Sequence, residues 1–419
     1  MAKRLKVLIS AFACEPNKGS EPAVGWNWTK QMARHHDVWV ITWTNYREAI
    51  EADAFARENP HVHWVYYELP PAVPLWQRSR RDTQFYYLCW QAGIGRLARK
   101  LDQQVQFDLM HHVTWVRYWT PCFLALLPPP LIFGPVGGGE TAPDSFYSSF
   151  GFRGNLFERV RDFVRWSAEH EPFARATVRR AAAVFATTEQ TAVRVKKMGG
   201  RNVSVMTSFA LTPDEFARFG RIPPKTGGPF RLISIGRLLH WKGFHLGLRA
   251  FARILQKFPD SEYWVVNDGP ELEHLKSLAR ELGIEERVTF WGRLPRLADV
   301  HDKLAQSDVL VHPSLHDNFG NVCLEAMAAG RPVLCLDWGG PALQVTDECG
   351  LKVLPRTPEQ TVDELAAAMT KLQQNPELRA RMGDAGRRRA REHFSWDRKG
   401  DEMNAIYEEI ISQSRPRTA

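Results

Sequence analysis

Two carboxylates stand eight positions apart in the tract HPSLHDNFGNVCLEAMAAGRPVL, residues 312–334. Asp317 follows the apolar run DVLVHPS, whereas Glu325 lies among apolar residues of the helix that the tract predicts. A carboxylate among apolar side chains costs free energy unless a partner binds it. The pair is therefore either a helix-capping acid with a structural ion pair, or two acceptors for the hydroxyl groups of a ligand.

The helix of this tract should begin near Gly320 and Asn321 and stop at Gly330, with Pro332 beyond it. Its first-turn N–H groups have no partner in the helix and carry the positive end of its dipole, so they form a natural anion site. The two acids would repel a phosphate but would accept hydrogen bonds from hydroxyls. The tract thus predicts a ligand with phosphate in its middle and a sugar on either side.

Two cations stand in the segment GRLLHWKG, residues 236–243, directly after the apolar run FRLISIG. Arg237 offers a fork of donors and Lys242 a point charge, a combination that suits a diphosphate. The alternative is that both are solvated charges at a helix start. No D-x-D tract occurs in the sequence, so we expect no metal clamp, and the cations would take the electrostatic role of the metal.

Four glycine loops complete the set of candidate ligand contacts. NDGPE at 267–271 is a Gly-Pro turn that opens a helix, and FWGRLPR at 290–296 either places its backbone against a nucleobase or is an ordinary strand-to-helix loop. NKGSEP at 17–22 and GPVGGGE at 134–140 put glycines at strand ends, where backbone can approach a ligand closely. No G-x-G-x-x-G stands in the setting of a dinucleotide site.

Short apolar runs alternate with helical patterns along the chain, which indicates α/β domains with mostly parallel sheets. We predict strands at 6–13, 37–43, 61–69, 107–113, 130–136, 182–188, 230–236, 262–268, 287–292, 308–314, 331–337 and 350–355. The stretch at 210–229 is rich in Pro and Gly, and the alternation restarts after it. We therefore predict a first domain at 1–212, a linker at 213–229, a second domain at 230–395 and a terminal helix at 394–413.

The composition is that of an ordinary globular protein, because 44% of the 419 residues are apolar and 24% are charged. A net charge of +8 favours acidic partners, namely nucleic acid, phosphorylated ligands or an anionic membrane surface. The six cysteines are scattered without a C-x-x-C pair, and the amino-terminal apolar run is too short for a signal peptide. We expect a cytoplasmic protein with neither a zinc site nor a disulfide framework.

In their order along the chain, the motifs resemble those of retaining glycosyltransferase family 4. They are GR…KG, NDGP, F-x-G, DVLVHPS, an acid, NFG and LEAMAAGRPVL, and the likeness is close over residues 230–345 and looser over 6–32. The resemblance implies the GT-B fold, in which two Rossmann-like domains face each other across a cleft. The first domain would bind the acceptor and the second the donor, and the end of the chain, 396–419, would cross back to the first domain.

The resemblance also implies residue roles: Arg237 and Lys242 would bind the diphosphate of the donor. Glu325 would bind its ribose, and Asp317 the hydroxyls of the transferred sugar. His112, one of two histidines in LMHHVTW, would lie near that sugar, unless it is a satisfied structural histidine. The other expected donor contacts are Gly19, Gly236, Asn267, Gly292, Arg293, Leu294, Phe319, Gly320, Asn321 and Val322.

Four departures from the family pattern concern specificity. Asp317 stands where the family usually has Glu, so its side chain is one methylene shorter. Leu343 stands where many members have Glu, NDGP replaces the commoner GDGP, and ACEPNKGSEPAVGWNW replaces a GGAER-like start. These departures put the identity of donor and acceptor in question but leave the expected fold unchanged.

The reaction that the resemblance implies is transfer of a hexose from a UDP-sugar or GDP-sugar to a glycan, a lipid-linked acceptor or a small molecule. The configuration would be retained by front-face attack, without a protein nucleophile, a metal or a cofactor. Two alternatives remain: a nucleotide-sugar isomerase or epimerase of similar architecture, and a non-catalytic sugar- or nucleotide-binding protein. We expect no nucleic-acid partner.

Two basic stretches, 74–100 and 157–166, are rich in aromatic residues. Such a mixture suits a segment at the surface of an anionic membrane, which would make the protein peripheral on the inner face of that membrane. It also suits helices that pack their aromatic side chains in the core and solvate their arginines.

Overall fold

The computed structural model describes residues 4–70, 80–115 and 117–413, with the backbone alone at 80–84. These residues form two compact units. The first unit contains the chain up to Gly139, residues 162–210 and the chain from Trp396 onward, and the second contains residues 140–161 and 211–395. Residues 74–79 of the first basic aromatic stretch and residues 414–419 of the expected returning segment lie outside the described ranges.

The described strands of the first unit are β1 (Lys6–Ser10), β2 (Asp37–Trp43), β3 (Val62–Tyr67), β4 (Leu109–His112), β5 (Leu131–Val136), β6 (Ala183–Ala186) and β7 (Val203–Val205). They pair in parallel in the order β3-β2-β1-β4-β5-β6-β7. Strands β4, β5 and β6 are buried along their whole length, because helices cover both faces of a parallel sheet.

The described strands of the second unit are β8 (Arg231–Ile235), β9 (Glu262–Val266), β10 (Val288–Gly292), β11 (Val309–His312), β12 (Val333–Leu336) and β13 (Gly350–Val353). They are also parallel, in the order β10-β9-β8-β11-β12-β13. The strand order reverses between β1 and β4 in the first sheet and between β8 and β11 in the second. Ligands of open α/β sheets bind beyond the carboxyl ends of the strands at such a reversal.

The described helices are α1 (Ser20–Ala33), α2 (Arg47–Ala52), α3 (Ala54–Glu58), α4 (Arg80–Val105), α5 (Gly151–Glu169), α6 (Pro172–Arg180), α7 (Glu189–Met198), α8 (Pro213–Gly220), α9 (Phe244–Leu255), α10 (Leu272–Glu281), α11 (Leu297–Ala305), α12 (Asn321–Ala328), α13 (Gly339–Gln344), α14 (Pro358–Gln374), α15 (Pro376–His393) and α16 (Trp396–Gln413). Helix α9 carries Leu248, Phe251 and Ile254 at helical spacing, and it buries all three in the core of the second unit. No helix in the described ranges is long and apolar enough to cross a membrane.

Helix α16 belongs to the first unit, as the resemblance implied. It packs on α1, where the ring of Trp396 meets the ring of Trp28 edge-on at 5.4 Å. The hydroxyl of Tyr407 hydrogen-bonds Nδ1 of His111 at 2.7 Å, and both side chains are fully buried.

The twelve predicted strands are all present, and the structure confirms the α/β class. The domain limits differ in detail from those predicted. The segment 213–229, expected to be a linker, contains α8 and belongs to the second unit. Residues 140–161, placed in the first domain from the sequence, also belong to the second unit, where Phe146 and Phe150 are buried in its core.

Candidate functional site

The loops that follow five strands of the second unit contain most of the residues singled out in the sequence. Gly236 to Lys242 follow β8, Asn267 follows β9, and Arg293 and Leu294 follow β10. The segment 313–320 follows β11, and the residues that lead to α13 follow β12. Because neighbouring parallel strands end at the same edge, these loops share one edge of the sheet.

The loop after β8 is built against the NDGP turn. The N–H of Leu238 donates to the carbonyl of Asp268 at 3.0 Å, and the carbonyl of Leu238 accepts from the N–H of Glu271 at 3.2 Å. A Cβ at Gly269 would lie 2.3 Å from that same carbonyl oxygen. The turn therefore requires glycine at this position, and it fixes the backbone beside Arg237.

The loop after β8 is also joined to the loop after β11. Gly243 caps α9 with φ of 66°, and a Cβ there would lie 1.9 Å from the carbonyl oxygen of Pro313. The N–H of Leu315 donates to the carbonyl of Trp241 at 2.8 Å. The segment that carries Lys242 is thus held against the segment that carries Asp317.

Asp317 and Lys242 form an ion pair, with 2.5 Å between Oδ2 and Nζ. Nε2 of His312 contacts the same carboxylate oxygen at 2.9 Å. Burial alone would raise the pKa of Asp317, but the ammonium of Lys242 and the hydrogen bond with His312 lower that pKa well below its usual range. The ion pair considered as one interpretation of Asp317 is therefore present, and its partner is the lysine expected to bind diphosphate.

Glu325 lies on the second turn of α12 and, unlike Asp317, is not in an ion pair with a described residue. Its carboxylate is half-buried, and within the described part of the chain it has no ion pair or hydrogen-bond partner. Burial raises the pKa of Glu325 to about 7, with the charge of Glu215 adding to the effect and that of Arg218 opposing it. A half-buried acid without a partner is a ready acceptor for a hydroxyl.

The two arginines of the site are exposed. Arg237 and Arg293 have neither an ion pair nor a hydrogen bond among the residues described. Both side chains remain available for an anion, whereas Lys242 already shares its charge with Asp317.

The start of α12 provides N–H donors beside these charges. Gly320 is the N-cap with φ of 77°, and its carbonyl accepts from the N–H of Cys323 at 2.9 Å. The N–H groups of Asn321 and Val322 belong to the first turn, where no helix carbonyl reaches them. The N–H of Phe319 points to Oδ1 of Asp317 at 3.4 Å.

A pocket of about 190 Å³ opens beside the loop after β10. Asn267, Arg293 and Leu294 line it, and the N–H of Asn267 donates to the carbonyl of Gly292 at 2.8 Å. Its remaining lining residues are Ile235, Val266, Arg296, Leu297 and Val300. Pockets for whole small-molecule ligands are roughly 300–1,000 Å³, so this one suits a single portion of a ligand.

The two candidates in the first unit are His112 and Gly19. His112 is buried, and its Nδ1 and Nε2 contact the hydroxyls of Ser10 and Tyr87, each at 2.9 Å. Burial, with a contribution from His111, lowers the pKa of His112 to about 3. These contacts are those of a satisfied structural histidine. Gly19 is the exposed N-cap of α1, where a Cβ would meet open space.

Sequence reasoning missed three features of the site. His312 ends β11 and contacts Asp317, and the HPS tract was taken only as the strand end. Gly340 donates its N–H to the carbonyl of Asp317 at 2.9 Å, and a Cβ at Gly339 would lie 2.6 Å from that oxygen. Glu158 of α5 contacts Nε2 of His240 at 3.0 Å, which no local pattern indicates.

Comparison with known proteins supports a common family for both units. Residues 217–389 match the family model of the glycosyl transferases group 1, and residues 18–207 match the model of the glycosyl transferase 4-like domain. A lipopolysaccharide core biosynthesis glycosyltransferase of Rhizobium meliloti is 30% identical over 211 residues, which cover 50% of this chain and 58% of that protein. The chain spans about half to two thirds of the length of the curated relatives it matches.

Solved structures share the fold at low sequence identity. A sucrose-phosphate synthase from Thermosynechococcus elongatus superposes with a TM-score of 0.67 and 19% identity, over 98% of this chain and 100% of that one. The Anabaena protein HepE, solved in complex with UDP and glucose, superposes with a TM-score of 0.58 and 19% identity over the same shares. Together with the two family models, these likenesses identify the chain as a member of the group 1 glycosyltransferases with the GT-B fold.

Proposed function

We propose that the protein transfers a hexose from a nucleoside-diphosphate sugar to a glycan or lipid-linked acceptor, with retained configuration and without a metal. The observation that carries the proposal is the convergence of free and paired charges at one edge of the second sheet. Exposed Arg237 and the Lys242–Asp317 pair lie in loops at this edge. Helix α12 starts at the same edge with free first-turn N–H groups, and it carries Glu325, which has no ion pair or hydrogen bond among the described side chains. Sugar nucleotides carry two negative phosphates between hydroxyl-rich rings, which this set of donors and acceptors matches.

The diphosphate would bind between Arg237, Lys242 and the start of α12. An ammonium has three donors, so Lys242 can keep its bond to Asp317 and still donate to a phosphate. The N–H groups of Asn321 and Val322 and the helix dipole add to the attraction. These positive groups are the ones that would stabilise the charge of a departing diphosphate.

The rest of the donor would be held by acceptors and by the pocket. The carboxylate of Glu325 would accept hydrogen bonds from the ribose, and Asp317 from hydroxyls of the transferred sugar. The base would enter the pocket that Asn267, Arg293 and Leu294 line. HepE binds UDP, which makes UDP-sugars the first donors to test and GDP-sugars the second.

Retention by front-face attack, which needs no protein nucleophile, is consistent with the ion pair and the lowered pKa of Asp317. One oxygen of this carboxylate already meets both Lys242 and His312, and its pKa lies well below the usual range. Such a carboxylate is a weak base and a weak nucleophile. The departing phosphate oxygen would instead take the proton of the acceptor hydroxyl while the bond from the anomeric carbon to that phosphate oxygen breaks and the acceptor oxygen bonds to the same carbon.

His112 would act as a positioning residue and not as a group that touches the sugar. Its contacts with Ser10 and Tyr87 join the carboxyl ends of β1 and β4 to helix α4. A packed network of this kind fixes the strand ends, which the acceptor-binding loops of the first unit need.

The acceptor is proposed from the similarity to a relative. The Rhizobium relative is a lipopolysaccharide core biosynthesis glycosyltransferase, which makes a lipid-linked glycan on the cytoplasmic face of a membrane the leading candidate. An isomerase or a binding protein would make no new glycosidic bond.

The experiment that tests the proposal measures UDP and GDP release from their hexose conjugates, with and without a lipid-linked glycan extract. Acceptor-dependent release, with a labelled sugar moving to the lipid fraction, is the expected result. Conversion of the donor without release would indicate an isomerase. Stabilisation by UDP in a thermal shift without release under any acceptor condition would indicate a binding protein.

A further inference from the structure

Helix α5 exposes an apolar face to solvent. Phe152, Leu156, Val160 and Phe163 recur at spacings of four, four and three residues, so they lie on one side of the helix. The exposed apolar residues of α5 are Phe152, Leu156, Phe157, Val160, Phe163, Val164 and Trp166, each between 49% and 84% exposed. Single exposed apolar residues are common, but a continuous stripe of this size marks an interaction surface.

The opposite face of α5 is polar and buried. Glu158 is fully buried, contacts Nε2 of His240 at 3.0 Å and pairs with Arg161. Arg165 is 2% exposed and pairs with Asp162 at 3.2 Å. The usual arrangement of a surface helix is therefore inverted. The apolar stripe faces solvent, and the side of α5 that packs against the protein is occupied by polar side chains.

The exposed charges of α5 are all positive. Arg153 and Arg159 are exposed, whereas its acids Glu158, Asp162 and Glu169 are buried or partly buried. Helix α6 follows with exposed Phe173 and two exposed arginines, Arg179 and Arg180. An apolar stripe with basic flanks is the pattern of a helix that lies in the interface of an anionic bilayer.

We propose that α5 docks on an anionic lipid bilayer, with its apolar stripe at the acyl boundary and its arginines at the lipid phosphates. A second copy of the chain fits this face less well, because an isologous contact would bring Arg153 and Arg159 of the two copies together. The docking is independent of the transfer reaction proposed above.

Helix α5 also contacts the loops after β8 and β11. The ring of Phe157 stacks on that of Trp241 at 5.7 Å, and Nδ1 of His316 lies 3.3 Å from the guanidinium of Arg161. His240 and Trp241 precede Lys242, and His316 precedes Asp317. A bilayer under α5 would thus lie close to the residues assigned to the donor, where a lipid-linked acceptor would be presented.

In helix α4 the alternative interpretation holds for most of the described aromatic side chains, although Phe85 and Leu88 are exposed. Tyr86, Tyr87 and Trp90 are buried in the core of the first unit, while Arg96 and Arg99 are exposed. Trp76 and Arg78 of the same basic stretch lie outside the described residues, as do the side chains of Arg80 and Arg81. The proposal therefore rests on α5 alone.

Vesicle flotation tests the proposal with the full chain. We expect the protein to float with vesicles that contain phosphatidylglycerol and to remain below vesicles of phosphatidylcholine alone. The double variant Phe152→Asp/Val160→Asp should lose about tenfold or more in partitioning, because two apolar side chains could then no longer enter the acyl boundary. Val193→Asp, at an exposed position of α7, is the control and should float like the parent protein.

Charge and folding are checked separately. Arg153→Glu/Arg159→Glu should abolish the preference for phosphatidylglycerol, and added salt should weaken flotation of the parent. All variants should keep the parent's thermal shift with UDP, which separates loss of docking from loss of donor binding. Absence of flotation of the parent on phosphatidylglycerol vesicles would overturn the proposal. So would a concentration-dependent dimer that Phe152→Asp/Val160→Asp abolishes, since a second copy would then occupy the stripe.

Discussion

At the scale of single residues, Asp317 and Glu325 have the same chemistry and opposite conditions. Lys242 and His312 keep Asp317 ionised, whereas burial keeps the pKa of Glu325 near 7. The sequence identifies both acids and the cations Arg237 and Lys242, because their types and spacing are local. It does not show that Lys242 and Asp317 pair with each other, since 75 residues separate them and only the fold brings them together.

Arg237→Ala tests the free cation. We expect a loss of turnover that corresponds to about 2–4 kcal/mol of barrier, because one electrostatic contact with the leaving group disappears. Arg237→Lys should restore part of the activity but not the forked contact. Lys276→Ala, which removes a cation paired with Glu273 on the surface of α10, is the control, and an equal loss in that variant would point to a general charge effect.

Glu325 predicts a pH dependence of donor affinity. The ionised carboxylate accepts hydrogen bonds from hydroxyls better than the neutral acid, so affinity for a UDP-hexose should rise as the pH increases through 7. The phosphates of a UDP-hexose do not titrate in this range. Calorimetry of the parent and of Glu325→Gln checks this, and the variant should bind weakly without a pH dependence. A parent affinity that is flat across this range would count against the ribose role.

Ionisation of Glu325 should have the opposite effect on the stability of the fold, which should decrease as the pH rises. The folded pKa of Glu325 lies above the ordinary value of 4.5, so its contribution to the free energy of unfolding is present below about pH 4.5 and is lost as the pH rises through 7. Glu325→Gln should therefore be more stable than the parent at about pH 8, by about 1–3 kcal/mol in urea unfolding. Equal stability of the two proteins would contradict the raised pKa of Glu325 in the folded state.

At the scale of elements, the strands were predictable because each is a short apolar run ending in a polar loop. Strand β7, with three residues, is too short to give such a signal. Helix α8 could have been predicted from the capping box of Thr212 and Glu215 and from Pro213 in its first turn, signals that the Pro- and Gly-rich surroundings obscured. The inversion of α5 was not predictable, because periodicity shows that a helix has two faces but not which of them is buried.

Gly243 lies where the loops after β8 and β11 meet, and a substitution there tests that junction. Gly243→Ala would place a Cβ 1.9 Å from the carbonyl oxygen of Pro313, and the junction of the loops after β8 and β11 would have to open. Gly283 has a similar φ of 64° but open space around a Cβ, so Gly283→Ala should cost only the backbone strain of about 1 kcal/mol. We expect a larger loss of unfolding free energy and of UDP affinity in Gly243→Ala, and equal losses would contradict the assigned contact.

At the scale of the whole molecule, the described chain forms two units, each with its own sheet and its own apolar core. The charged groups assigned to the donor all belong to the second unit. The family and the fold were accessible from the sequence because the ordered motifs lie in that unit's loops. The acceptor was not, since nothing local in the first unit distinguishes a ligand-binding aromatic from a core aromatic.

This division predicts the response to ligand. Calorimetric scans should resolve two unfolding transitions. UDP should stabilise only the second unit, whose free energy of unfolding should rise by about 2.7 kcal/mol at a hundredfold excess of UDP over its Kd. Glu325→Gln should reduce that shift and leave the other transition in place. If UDP instead raised the unfolding temperature only of the transition that Glu325→Gln leaves unchanged, the nucleotide would bind to the first unit.

Residues 140–161 have a practical consequence for anyone who wishes to cut the gene. A fragment that starts at residue 211 would keep every described strand of the second unit, yet it would lack Phe146 and Phe150, two side chains of that unit's core. It would also lack Glu158 and so leave His240 without its acid. The second unit is not encoded in one continuous stretch, and a clone of it needs the 22 residues 140–161 joined to the remainder.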